Sequence, residues 1–145
     1  MDYSIRPMLF ADYEAVLALI TGVPGVTVRA ADLPPAIARY LARNPGLSFV
    51  AVSGPRIIGC LFCGHDGRRG YLNHVVVAEE FRRLGVGQAL VTAALDALEA
   101  DGIEKTHLDV FADNEQAIAF WKSLGWQQRE DIVRFSFIRS ADPNA

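Results

Sequence analysis

The chain has 145 residues, 51% of them apolar and 21% charged, with a net charge of −3 and a pI near 5.5. That length supports one domain spanning 1–145 and is too short for two. A mildly acidic chain with scattered basic residues excludes the electrostatic footprint of a nucleic-acid binder. No apolar run reaches membrane-span length, and MDYSIRPMLF lacks the basic and apolar regions of a signal peptide, so a cytoplasmic protein is expected.

Residues 2–6 read as a short first strand closed by Pro7. FADYEAVLALI (10–20) has apolar residues at helical spacing, with Asp12 placed to favour the helix start, and GVPG (22–25) breaks it. Asp32-Leu33-Pro34-Pro35 opens a second helix with an N-cap candidate and first-turn prolines, and Asn44-Pro45-Gly46 closes it. β-branched and aromatic runs separated by Ser53-Gly54-Pro55 and His65-Asp66-Gly67 predict three antiparallel strands at 47–53, 56–64 and 70–77. A long helix follows at about 85–100, with Val86, Leu90, Ala94 and Leu98 on one face and Asp101-Gly102 at its end. Then come a strand at 106–111, a helix at 114–124 stopped by Gly125, and a final pair of strands in WQQREDIVRFSFI.

The strand, long helix and strand in succession predict a right-handed crossover between parallel neighbours, while the other strands meet in hairpins. The expected class is α/β (α+β): one mixed, mostly antiparallel sheet of six to seven strands, with helices on both faces and strands four and five parallel. Cys60 and Cys63 form a C-x-x-C inside the strand run IIGCLFCG. Positions three apart on a strand face opposite sides, and no second pair completes a zinc site, so both read as core thiols and no metal is expected.

The chemistry concentrates in VVVAEEFRRLGVGQAL (75–90), where Arg82-x-x-Gly85-x-Gly87 follows a strand and opens a helix. A helix N-terminus presents unpaired amides and partial positive charge; glycines there clear space for an anion, and arginines add counter-charge. Such a site suits a phosphate or pyrophosphate. It is neither a Walker A loop nor a dinucleotide G-x-G-x-x-G.

This segment resembles the acyl-CoA-binding motif of the GNAT superfamily of N-acetyltransferases, [RQ]-x-x-G-x-[GA] after a strand. NEQAIAFWKSLGW (114–126) is similar to that family's second motif, and the element order matches over nearly the whole chain. The similarity extends to the ribosomal-protein alanine N-acetyltransferase type. The resemblance implies an acyl-CoA N-acyltransferase fold using acetyl-CoA as co-substrate. Its pyrophosphate would be held by amides around Arg82, Arg83, Leu84, Gly85, Val86, Gly87 and Gln88. Its pantetheine arm would pair with Val75, Val76 and Val77 as an added strand. Asn114 would hydrogen-bond the cofactor besides capping its helix, with Ala117 beside it and Phe120 packing near the pantetheine or filling core. The acceptor would be an amine on a small molecule or on a peptide or protein. A homodimer is a further expectation from the family.

Direct transfer to an amine needs a base, donors for the tetrahedral oxyanion and a proton for the leaving thiolate. In the family the second motif's tyrosine usually supplies that proton; here the position is Trp121, whose indole N–H cannot release it near neutral pH. Another group, water included, protonates the sulfur; or Trp121 lines the thioester pocket; or the chain binds acyl-CoA without turning it over, as a sensor. Asp109, near a position where relatives carry a glutamate, is the base candidate, on the expectation that burial raises its pKa. Tyr71 is the runner-up as base or acid, placed on one strand face with Asn73, Val75 and Val77. His65, His74 and His107 read as surface or sheet residues, and Glu79 and Glu80 as solvated.

Overall fold

Alternating and helical apolar patterns give elements that must each bury one face, and here they do so on the two sides of a single sheet. The computed structural model describes residues 2–23 and 26–145. The elements are β1 (Ser4–Pro7), α1 (Tyr13–Thr21), α2 (Pro34–Arg43), β2 (Phe49–Ser53), β3 (Arg56–His65), β4 (Gly70–Val77), α3 (Val86–Ala100), β5 (Thr106–Leu108) and α4 (Glu115–Ser123). The sheet has five strands in the order β1-β2-β3-β4-β5. The first four are antiparallel neighbours, and β5 joins β4 in parallel, as the crossover pattern requires.

One core layer packs α3 against the sheet: Val86, Leu90, Ala94 and Leu98 are all at most 1% exposed and meet Ile58, Leu61, Cys63 and Leu72. The other packs α1 and α2 through Val16, Ile20 and Ile37 onto Val50, Cys60, Phe62 and Val76. Cys60 and Cys63 thus fall in opposite layers, as strand alternation demands. Both are free and buried, and burial pushes each thiol up to about 12. Neither should react with an aromatic disulfide reagent at pH 8 within minutes in the native protein, while both should titrate at once in denaturant.

The helix starts differ in detail from expectation. Asp12 does favour the start of α1: it closes the 3-10 turn Phe10–Asp12, accepting the Leu9 amide at 2.8 Å and pairing with Arg6 at 2.8 Å. Asp32 does not cap α2, whose N-cap is Leu33. Its carboxylate accepts the Arg29 amide at 2.9 Å in the preceding 3-10 turn and so is turned toward the sheet. Of the predicted break at 22–25, Gly22 follows α1, while Pro24 and Gly25 lie outside the described residues.

Two further expectations are corrected. The final pair of strands is absent among the described residues: after Trp126 the chain runs exposed, and the sheet has five strands rather than six or seven. Alternating Val133, Phe135 and Phe137 have high β-propensity, but propensity makes a strand only where an edge accepts it. β5 is three residues long and pairs only with β4. The segment is tied to the rest of the chain instead by Arg134 on Asp109 at 2.6 Å and by the Asn144 carbonyl, which accepts the Ala30 amide at 2.8 Å.

The second correction concerns β4. The β3/β4 register shifts between Cys60 and Phe62, which pair with Val76 and Asn73, so β4 bulges at His74 and Val75. An extra residue reverses the alternation beyond it. Leu72 therefore sits in the α3 layer and Val76 in the α1/α2 layer. Val75 and Val77 lean on the α3 layer. Tyr71 accordingly does not share a face with Val75 and Val77.

Candidate active site

Parallel pairing of β4 and β5 ends early. Register runs through Gly70↔Thr106, Tyr71↔His107 and Leu72↔Leu108, and beyond it the strands separate. The gap is a cleft of about 500 Å³. Its walls are Asn73, His74 and Val75 from β4 and Asp109, Val110 and Phe111 after β5. Asn114, Ala117 and Trp121 of the α4 region contribute from one side of the sheet, and Thr27 and Arg29 from the other. A slot open through a sheet suits two substrates arriving from opposite sides.

The α3 N-terminus is built as an anion cradle. Gly85, its N-cap, has φ +80°, a left-handed conformation that a side chain would strain, and Arg83 sits at φ +64°. No amide from Arg83 to Gln88 donates to a backbone or side-chain acceptor among the described residues; the first bond inside the turn is Ala89 to Gly85, at 3.0 Å. Arg82, Arg83, Leu84 and Gln88 are exposed around this run, whereas Val86 is buried and anchors the turn to the core. Gly87 serves a second purpose: a Cβ there would lie 3.1 Å from the Phe120 ring, so its absence lets α4 close against the mouth of α3. Arg82 turns its Nε to the Val77 carbonyl at 3.1 Å, so a group expected to pair with the pantetheine already accepts one bond.

Asn114 caps α4, accepting the Ala117 amide at 3.1 Å while lining the cleft. Phe120 fills space against Gly87 and meets Trp121 edge-on, with ring centroids 5.0 Å apart. Trp121 meets Trp126 in the same way at 4.9 Å, and its indole N–H makes no hydrogen bond among the described residues. Trp121 is thus a half-buried apolar wall of the cleft.

The sequence-derived base candidates are placed less favourably. Asp109 lines the cleft but lies just past β5; its side chain is 68% exposed and faces the Arg134 guanidinium. The burial on which its role rested is absent, and the cation competes for the lone pairs a base would use. Tyr71 is paired with His107 in register, ring centroids 5.9 Å apart, and is not in the cleft wall. His65 bonds Asp101 at 3.1 Å on the surface. His74, read from the sequence as an ordinary sheet residue, is in the cleft wall and 2.9 Å from Asp32. No sequence spacing links positions 32 and 74. No cluster of three metal-ligating side chains occurs among the described residues.

Comparison with known proteins agrees with this architecture. The model of the acetyltransferase (GNAT) family matches residues 14–126. N-alpha-acetyltransferase 30 of Schizosaccharomyces pombe is 31% identical over 103 residues, covering 67% of this chain and 69% of that protein. Acetyltransferase plu1384 of Photorhabdus laumondii is 34% identical over 137 residues, covering 91% and 92%. Among solved structures, AAC(6')-Iy in complex with the bisubstrate analog CoA-S-monomethyl-acetylneamine superposes with a TM-score of 0.75 at 20% identity, covering 95% of this chain and 99% of that one. The family match spans both the cradle at α3 and the α4 motif, and the chain belongs to the GNAT family of acetyltransferases.

Proposed function

We propose that this protein is an acetyl-CoA-dependent N-acetyltransferase that moves the acetyl group directly to a primary amine. The observation that carries the proposal is the free amide run from Arg83 to Gln88, opening beside a cleft between diverging β4 and β5. The amide run, with Arg82 and Arg83 alongside, fits a pyrophosphate. Val75 and Val77 supply an apolar track toward the cleft, Asn114 and Ala117 its far wall, and Trp121, backed by Phe120, an apolar surface within it. With both substrates held in one slot, attack of the amine on the thioester gains mostly from proximity.

Two acceptor classes are supported by likeness alone. One relative is named for N-alpha-acetylation, and one structural neighbour holds an acetylneamine analogue. The acceptor is accordingly a primary amine of a peptide or a small molecule. The test is thiol release from acetyl-CoA across a panel of amines and N-terminal peptides, with melting temperature followed in parallel. Acetyl-CoA should raise the melting temperature while ATP and NAD do not, and at least one amine should give steady turnover. Binding without turnover on a broad panel would favour an acyl-CoA sensor, the reading that Trp121 in place of a phenol motivates.

A further inference from the structure

The bulge in β4 holds the one strained side chain in the cleft wall. His74 has φ +48°, a left-handed value that strains a non-glycine residue and persists only where the surroundings over-determine it. Here they do. Its carbonyl accepts the Cys60 thiol at 3.5 Å, its ring stands edge-on to Phe62 with centroids 5.9 Å apart, and its Nε2 is 2.9 Å from Asp32 Oδ1.

Asp32 is itself locked. Its other oxygen accepts the Arg29 amide at 2.9 Å, and its carbonyl accepts the Tyr13 hydroxyl at 2.8 Å. Burial pushes the Asp32 carboxyl up, but the bonds from His74 and the Arg29 amide outweigh it and leave it below the ordinary aspartate value. An ionised carboxylate only accepts, so Nε2 carries a hydrogen, and in the neutral ring the lone pair is on Nδ1. Nδ1 has no hydrogen-bond partner among the described residues and is not sealed from solvent, since Tyr40 Oη is the one sealed and unpartnered side-chain polar atom among them.

The other ionisable groups around the ring do not compete. Arg29 is exposed and bonds Asp32 through its amide, Tyr13 gives its hydroxyl to the Asp32 carbonyl, Asp109 is paired with Arg134, and the Cys60 thiol beside the His74 carbonyl is held neutral by burial. We infer that His74 is the base that takes the acceptor's proton in the cleft, and that Asp32 is its positioning residue. This rests on the acetyltransferase reading above. One proton of the acceptor ammonium passes to Nδ1 and on to solvent. The freed lone pair forms the C–N bond, the C–S bond breaks with its pair on sulfur, and the amine's second proton ends on the thiol. Trp121 need donate nothing. The dyad pairs a residue before α2 with a strand bulge, and Asp109 and Tyr71 have no part in it.

The test compares His74→Asn, Asp32→Asn and the control His65→Asn with wild type on an accepted amine. Asparagine tolerates positive φ, so His74→Asn keeps the bulge. It should lower kcat by about 100-fold or more, remove the acidic limb of the pH–rate profile, and leave acetyl-CoA affinity within about 3-fold. Asp32→Asn should lower kcat by about 10-fold and shift that limb toward lower pH. The 15N imidazole spectrum should show His74 as the Nε2–H tautomer in wild type, and a tautomer mixture in Asp32→Asn. His65→Asn, which removes the surface pair with Asp101 outside the cleft, should change kcat by less than about 3-fold. A His74→Asn enzyme with unchanged kcat and pH profile overturns the inference while leaving the acetyltransferase reading intact. A wild type that binds acetyl-CoA and acetylates no amine overturns both.

Discussion

Gly87→Glu is expected to abolish acetyl-CoA binding at concentrations that saturate the wild type. The carboxylate would enter the mouth of α3, where the amides of Arg83 to Gln88 are unpaired. At ~5 Å and an effective dielectric of ~20, one like charge facing a phosphate costs about 3 kcal/mol, or roughly two orders of magnitude in Kd. The geometry adds a second penalty, because a Cβ at this position already lies 3.1 Å from the Phe120 ring. Gly87→Ala separates the two effects. It brings the contact without the charge, the ring must yield by a few tenths of an ångström, and affinity should fall by less than about 10-fold. Calorimetric titration of acetyl-CoA into both variants reads the difference. The acetyl-CoA-dependent rise in melting temperature, worth about 2.7 kcal/mol at a hundred times Kd, provides an independent check. Wild-type affinity in Gly87→Glu would remove the pyrophosphate from the α3 mouth.

Trp121→Ala should be among the most destabilising changes in the site. The indole stands edge-on to both Phe120 and Trp126 and packs against the α3 core layer. Truncating a tryptophan so placed costs about 3 kcal/mol, the lower end of the usual range because the ring is only half-buried. For a chain of this size that corresponds to a fall in melting temperature of roughly 6–12 °C. Trp121→Phe keeps an aromatic wall, should cost about 1 kcal/mol, and should leave kcat within about 3-fold because the indole N–H makes no hydrogen bond. A loss above about 10-fold in Trp121→Phe, with normal stability and acetyl-CoA affinity, would give the indole N–H a direct part in transfer.

Most of the fold is legible in local patterns because the forces behind them are local. Val86, Leu90, Ala94 and Leu98 recur at helical spacing and all face one core layer. Glycines and prolines mark the turns, and the strand–helix–strand order allows only a parallel β4/β5 pair of the right hand. The α3 mouth is equally local: Gly85 and Gly87 are costly in a helix start unless something needs the space, and they lie within the family's motif.

What tertiary structure alone decided are contacts between segments distant in sequence. Pairing with an edge, not propensity, makes a strand, so IVRFSFI stays unpaired beside a β5 of three residues. The bulge in β4 depends on register against β3 and moves Tyr71 to the face opposite Val75 and Val77. Asp109, which needed burial to serve as a base, meets Arg134 instead. Asp32 reads as a helix cap because aspartate before two prolines commonly is one, yet its carboxylate turns across 42 positions to hold His74. Cofactor recognition by backbone amides is written in a short contiguous motif, since only the chain's own turn must be right. Proton transfer needs side chains brought together by the whole sheet, and no stretch of sequence specifies that meeting.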